Sequence, residues 1–197
     1  MKILFVACYA NNGHYIDYTK KTLDKYLINC DYDYICLNDA PDIQNGDENY
    51  LKICDILTGE SDCYEKILDK TKQNNGAGLI DTWKYNKDLI QKYDWIIHFE
   101  LRQLLKSFQF VESFLKEPRN LFTININVEH FNTGLFCISK ENLLNYINNC
   151  DLNKMVNNSI SIEDDLYKYF QDNKLNYDTL EKMDLLWFAG DNNTYHY

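Results

Sequence analysis

Apolar and polar positions along this chain fall into two rhythms, short apolar runs of strand length and longer helical stripes. Lys2 to Tyr9 reads as a continuous apolar run, the pattern of a strand covered on both faces in a parallel sheet. Asn11-Asn12-Gly13 turns the chain, and His14 to Ile28 then carries Ile16, Leu23, Tyr26 and Leu27 along one helical side. Tyr32 to Asn38 is a second strand, ending at Asn38-Asp39. Strand, helix and strand in this order predict a βαβ unit, hence parallel pairing and a right-handed crossover.

The middle of the chain alternates in the same way. Ala40 to Asn49 is a loop, and Tyr50 to Leu57 fits a short helix or a strand. Ser61-Asp62 caps a helix running to about Lys72, with Glu65 near the capping-box position. The polar, glycine-bearing stretch from Gln73 to Gly78 predicts a break, followed by a helix from Leu79 to Lys92. Asp94 to Phe99 is a strand whose apolar run, Trp95-Ile96-Ile97, ends in His98, Glu100 and Arg102. Gln103 to Leu115 predicts a helix that stops before Glu117-Pro118. Leu121 to Val128 alternates as a strand with one polar side, Phe131 to Gly134 breaks it, and Leu135 to Ser139 resumes as a strand. Ser139 caps a helix through Asn149, Ser161 caps another over Ile162 to Gln171, and Leu185 to Phe188 is a last strand. With no internal repeat and no linker-like stretch, the pattern predicts one α/β domain over residues 1–197.

Composition narrows the partners. The 197 residues are 45% hydrophobic and 25% charged, a globular balance with enough chain for a full core. The formal net charge of −10 argues against a protein that grips nucleic acid, because phosphate backbones demand a basic surface. A small anionic ligand is compatible with it, since a few local cations and backbone N–H groups suffice. The seven cysteines include no Cys-x-x-Cys pair, and Cys8, Cys36 and Cys137 sit in apolar runs. That usage predicts reduced, structural thiols and a cytoplasmic location. The N-terminal run reads as a first strand rather than a leader, and no apolar run has the length of an integral membrane segment.

Candidate chemistry gathers where strands end. Alternation places His98 and Glu100 on one side of their strand and Phe99 on the other. A His and a Glu converging there suit Mn²⁺ better than Mg²⁺, or they form a polar strand end with Arg102 paired to Glu100. Tyr9-Ala10-Asn11 and Asn38-Asp39 share one sheet edge if their strands are parallel, where an Asp can accept from a ribose or a base. Asn132, Thr133 and Gly134 offer short directional hydrogen bonds and a close backbone approach suited to hydroxyl-rich ligands, or simply a turn. Glu163, Asp164 and Asp165 supply either a general base or acids that complement a helix dipole. No Gly-x-Gly-x-x-Gly, Walker or Gly-x-Ser-x-Gly pattern exists, which removes the usual phosphate cradles and the nucleophile elbow.

Taken in order, these pieces resemble a small GT-A-fold glycosyltransferase of the nucleotide-sugar type, similar in size to the compact glycosyltransferase domains of large DNA viruses and bacteria. Tyr93 to Glu100 resembles the strand leading into the family's Asp-x-Asp motif, which here reads His98-Phe99-Glu100. His130 to Phe136 is similar to the Phe-Asn-x-Gly segment near sugar and acceptor, and Ser161-Ile162-Glu163-Asp164 to the Glu-Asp motif whose Asp is the base of inverting members. Tyr195-His196 is similar to the late His of the metal shell in some retaining members. The resemblance implies a GT-A-like open sheet, mainly parallel and flanked by helices, and a UDP- or GDP-sugar donor with a glycan or protein-linked acceptor. It implies that Tyr9, Asn11 and Asp39 hold the nucleoside, while His98, Glu100 and His196 hold Mn²⁺ and the diphosphate with Arg102 assisting. It implies that Asn132, Thr133 and Gly134 orient the sugar, and that Asp164 is the base with Glu163 behind it. Two other classes stay open, a non-catalytic nucleotide-sugar or glycan binding module of the same fold and a protein-interaction domain.

Overall fold

The computed structural model describes residues 1–9, 33–38, 57–58, 75–100, 103–105, 107, 109–125, 129–183, 185–188 and 194–196. Strand β1 (Ile3–Tyr9) pairs in parallel with β2 (Asp33–Asn38) on one side and with β4 (Trp95–Glu100) on the other. The short β3 (Leu57–Thr58) extends the sheet beyond β2, also in parallel. Both strands of the βαβ expectation are present and pair as predicted, and the intervening helix lies outside the described residues. So does the helix expected from Ser61 to Lys72.

Beyond β4 the sheet continues with β7 (His130–Ser139) and β6 (Leu121–Asn125), both antiparallel to their neighbours, and closes on β8 (Asp178–Thr179). The order is β3-β2-β1-β4-β7-β6-β8, with four parallel neighbours (β3/β2, β2/β1, β1/β4, β6/β8) against two antiparallel ones (β4/β7, β7/β6). This is the open, mainly parallel sheet of the expected fold class.

Both faces of the sheet are covered. On one, helix α1 (Asn75–Tyr85), the short α2 (Lys87–Ile90), α4 (Lys140–Asn149), α5 (Leu152–Asn157) and α6 (Ile162–Asp172) bury Leu4, Ile96, Phe136 and Ile138. On the other, α3 (Gln109–Lys116) packs Phe114 edge-on against Trp95 at 5.4 Å between ring centroids. Ile97 and Phe99, which alternate with His98, are fully buried as well.

Two of the caps predicted from single residues are formed, and the one predicted at Ser61-Asp62 lies outside the described residues. Ser139 accepts from the Asn142 N–H to start α4, and Ser161 accepts from the Asp164 N–H to start α6. Three expectations are corrected. The expected break at Gln73 to Gly78 is instead the start of α1 from Asn75 onward, and the helix ends at Tyr85 rather than Lys92. Its small residues serve contact, not a turn: a Cβ on Gly76 would sit 2.9 Å from Ile162 Cβ on α6. The helix expected over Gln103 to Leu115 is split into a strand, β5 (Gln103–Leu105), and α3. Strand β5 pairs with β9 (Leu185–Phe188), which pairs in turn with β10 (Thr194–His196) in a separate three-stranded sheet. Finally, Phe131 to Gly134 does not interrupt a strand. It belongs to the continuous β7, and the irregularity is in register.

Candidate functional site

The chain lays β1, β2 and β3 outward on one side of β1 and returns to place β4 on the other. The strand order therefore reverses between β1 and β4, and a crevice opens beyond the carboxyl ends of strands at such a reversal. The register identifies what stands there. Tyr9 is level with Asn38, and Cys8 is level with Glu100. The ends of β1, β2 and β4 thus bring Tyr9, Glu100 and the residue preceding Asp39 to one sheet edge. Asn11, Asp39 and Arg102 themselves lie outside the described residues.

Strand β7 completes this edge from the opposite direction. Leu135 is level with Phe99, so His130 to Thr133 run past the end of β4. Between the pairs Leu121/Cys137 and Thr123/Asn132, a single residue of β6, Phe122, faces four of β7, Thr133 to Phe136. Extra residues in one strand re-aim the side chains around them. The consequence here is that Phe131 and Phe136, five positions apart, pack into the same helical layer instead of opposite faces. Phe131 stacks on Phe122 with ring centroids 3.9 Å apart and planes 6° from parallel, and Phe170 of α6 closes edge-on at 5.5 Å. This aromatic packing seats α6 on β7. No described glycine has a positive φ, so Gly134 is not a left-handed turn but part of the irregular strand.

With α6 seated, its three consecutive acids separate. The Thr133 hydroxyl donates to Glu163 Oε1 at 2.8 Å. Asp164 Oδ1 lies 3.5 Å from His130 Nδ1, and its Oδ2 accepts from the Ser161 hydroxyl at 2.8 Å. Asp165 faces elsewhere, accepting from the Tyr146 hydroxyl at 3.1 Å and from Cys150 Sγ at 3.5 Å. Burial, reinforced by the Asp165 carboxylate, pushes the Cys150 thiol up to about 12 and raises the Tyr146 phenol as well. Asp165 is thus a buttress of the helical layer, whereas Glu163 and Asp164 face β7. The α1 and α6 N-termini meet beside them at Gly76 and Ile162.

The structure places His98 in the core. Alternation predicts that it shares a face with Glu100, and that face proves to be core at position 98. His98 has no exposed surface, lies level with Val6 and Phe136, and packs against Trp83 edge-on at 5.4 Å and Phe136 at 4.7 Å. Burial lowers its pKa to about 3, so the ring is neutral. A manganese ligand needs open space for the ion and its other ligands, and the His98 ring is enclosed by Trp83 and Phe136 with no exposed surface. His98 does not fit that role. His196 lies in β10, two strands from β5 in the small sheet, while Glu100 ends β4 of the large one.

Two residues of this constellation were not singled out by the sequence. His130 opens the Phe-Asn-x-Gly-like segment and Ser161 opens the Glu-Asp-like one, and neither has a role there beyond the Ser161 cap. The signal that would have found them is adjacency: each flanks a candidate already chosen.

No protein-family model and no curated protein matches the sequence. Solved structures do. A glycosyltransferase involved in the glycosylation of the major capsid of PBCV-1 superposes with a TM-score of 0.55 at 10% identity, covering 92% of this chain and 82% of that one. A cytidylyltransferase from Leptospira borgpetersenii superposes with a TM-score of 0.50 at 11% identity, covering 93% of this chain and 76% of that one. Mouse xyloside xylosyltransferase 1 in its apo form gives 0.48 at 10% identity, covering 91% and 84%. At these identities the likeness is one of fold, and it is the GT-A-like fold.

Proposed function

We propose that this chain transfers a sugar from a nucleotide-sugar, a UDP or GDP donor, to a glycan or protein-linked acceptor. One observation carries the reading. The Asn132-Thr133-Gly134 segment and the Glu163-Asp164 pair are joined by the 2.8 Å bond from Thr133 to Glu163, at the sheet edge where β1 and β4 end. In an open α/β sheet that edge is where a nucleotide lies. The fold neighbours include a glycosyltransferase of the same architecture.

Each part has a role in this reading. Tyr9, Asn11 and Asp39 hold the nucleoside, and Asn132 orients sugar hydroxyls beside Gly134, while Thr133, buried with its hydroxyl donated to Glu163, keeps the segment against α6. Asp164 is the base. It takes the proton of the acceptor hydroxyl as that oxygen bonds to the anomeric carbon and the carbon–oxygen bond to the diphosphate breaks. Glu163, tied to Thr133, holds α6 in place behind it. Arg102 neutralises the departing diphosphate by charge-assisted hydrogen bonds. With His98 in the core, Glu100 and His196 are the residues that would hold a Mn²⁺ ion, which would neutralise charge on the leaving diphosphate.

The test is a thermal-shift screen against UDP- and GDP-sugars with and without Mn²⁺, followed by turnover with the donor that binds. A ligand that binds the folded state raises the midpoint by mass action. Asp164→Asn should then keep the donor-induced shift and lose turnover by about 100-fold or more. Full turnover in that variant removes Asp164 as the base, and no shift with any nucleotide favours a protein-interaction domain. The packing of His98 against Trp83 and Phe136 supports a second reading, a donor-binding module without turnover. It predicts the shift and no transfer.

A further inference from the structure

Asp164 has a side chain 58% exposed, and a carboxylate in that position rotates freely unless it is held. Its two oxygens have neighbours from two directions, a hydrogen bond on one and an imidazole at ion-pair distance on the other. Ser161 grips Oδ2 from within the cap of the same helix, so it travels with α6. His130 reaches Oδ1 from β7, with Nδ1 at 3.5 Å and its own side chain only 27% exposed. Of these two partners, only His130 ties the carboxylate to the sheet on which the donor would lie.

The backbone enters β7 through a left-handed residue. Glu129, immediately before His130, has φ of 50°. A non-glycine residue in the left-handed region costs roughly 1–2 kcal/mol and persists where surrounding contacts demand it. Glu129 leads directly into β7 at His130. Three residues on, Thr133 meets Glu163, so His130 and Thr133 engage two consecutive acids on the helix. Thr133 sets the height of α6 on the strand, and His130 sets the direction of the carboxylate next to it.

We propose that His130 is the positioning residue of the Asp164 base, orienting the carboxylate toward the acceptor hydroxyl by holding Oδ1 through Nδ1. This rests on the transferase reading above. It adds a residue that acts through Asp164 and touches neither donor nor acceptor. Misplacing a reacting group by about 1 Å costs up to ~100-fold in rate while leaving ligand binding largely intact. The loss therefore falls on kcat and not on the donor KM.

Two readouts test it together. In protein labelled with ¹⁵N-histidine, the four histidines give ring signals assignable by substitution. The His130 signals should move in Asp164→Asn and stay in place in Asp165→Asn, whose carboxylate faces Tyr146. In turnover assays His130→Ala should lower kcat roughly 10- to 100-fold with donor KM changed less than about twofold. His130→Asn, which retains a side-chain N–H donor, should recover part of that loss. Unchanged thermal midpoints in both variants separate positioning from unfolding. Unmoved ring signals in Asp164→Asn, an unaltered kcat in His130→Ala, or equal losses in the Ala and Asn variants overturn the role while leaving the transferase reading intact. If the wild type transfers no sugar from any donor although the ring signals respond to Asp164→Asn, the transferase reading fails and the contact is structural only.

Discussion

Replacing His98 by phenylalanine should flatten the acid limb of the protein's stability curve. His98 has no exposed surface and packs on Trp83 and Phe136, and burial lowers its pKa from 6.5 to about 3. Above pH 6.5 the imidazole is neutral in both the folded and unfolded chain and contributes no slope. Between 6.5 and about 3 the unfolded chain binds a proton that the folded chain does not, so stability falls as pH falls. Below about 3 both states are protonated and the slope ends. At ~1.4 kcal/mol per pH unit, the loss is about 3 kcal/mol by pH 4.5 and approaches about 5 kcal/mol near pH 3. Against the roughly 5–15 kcal/mol stability of an ordinary domain, that is enough to decide whether the protein stays folded in mild acid. The assay is urea unfolding of wild type and His98→Phe at several values from pH 7.5 to 4.5. Carboxylate titrations are common to both proteins and cancel in the difference. The wild type should lose about 3 kcal/mol more than the variant across that range. Parallel curves would refute a buried neutral ring. A Mn²⁺-induced rise in the wild-type midpoint that disappears in His98→Phe would return His98 to a ligand position.

Two further outcomes follow from the seating of α6. Gly76→Ala should destabilise by about 1–3 kcal/mol in chemical denaturation. Helix propensity alone would gain about 1 kcal/mol from that change. Here, however, the new Cβ would lie 2.9 Å from Ile162 Cβ and 3.0 Å from its backbone nitrogen. A stabilised variant would show that the helices part easily. Ser161→Ala removes both the cap acceptor of the Asp164 N–H and the donor to its Oδ2. It should lower stability by about 1 kcal/mol and reduce turnover more than donor affinity, and unchanged denaturation would show the cap to be dispensable.

Local features were legible in the sequence because their causes are local. The apolar runs of β1 and β4 specify buried strands wherever they are placed, and Ser139 and Ser161 cap their helices with their own hydroxyls. The sequence of strand β5 predicts helix because its apolar residues satisfy either period, and its partner β9, some 80 positions on, selects the strand. The start of α1 was missed because a glycine-bearing run signals a break in isolation, whereas Gly76 is required by the closeness of Ile162.

By itself the sequence determined the α/β alternation, the polar strand ends at Tyr9, Asn38 and Glu100, and the two polar motifs from Asn132 to Gly134 and from Glu163 to Asp164. What those motifs do to one another was decided by tertiary structure alone. Period-two alternation distinguishes two faces of β4 but not which is wet, and helices on both faces left His98 in the core. Three consecutive acids are equivalent in a linear chain. A helix rotates each by about 100° from the last, so the neighbours it meets sort them: Thr133 takes Glu163, His130 takes Asp164, and Tyr146 takes Asp165.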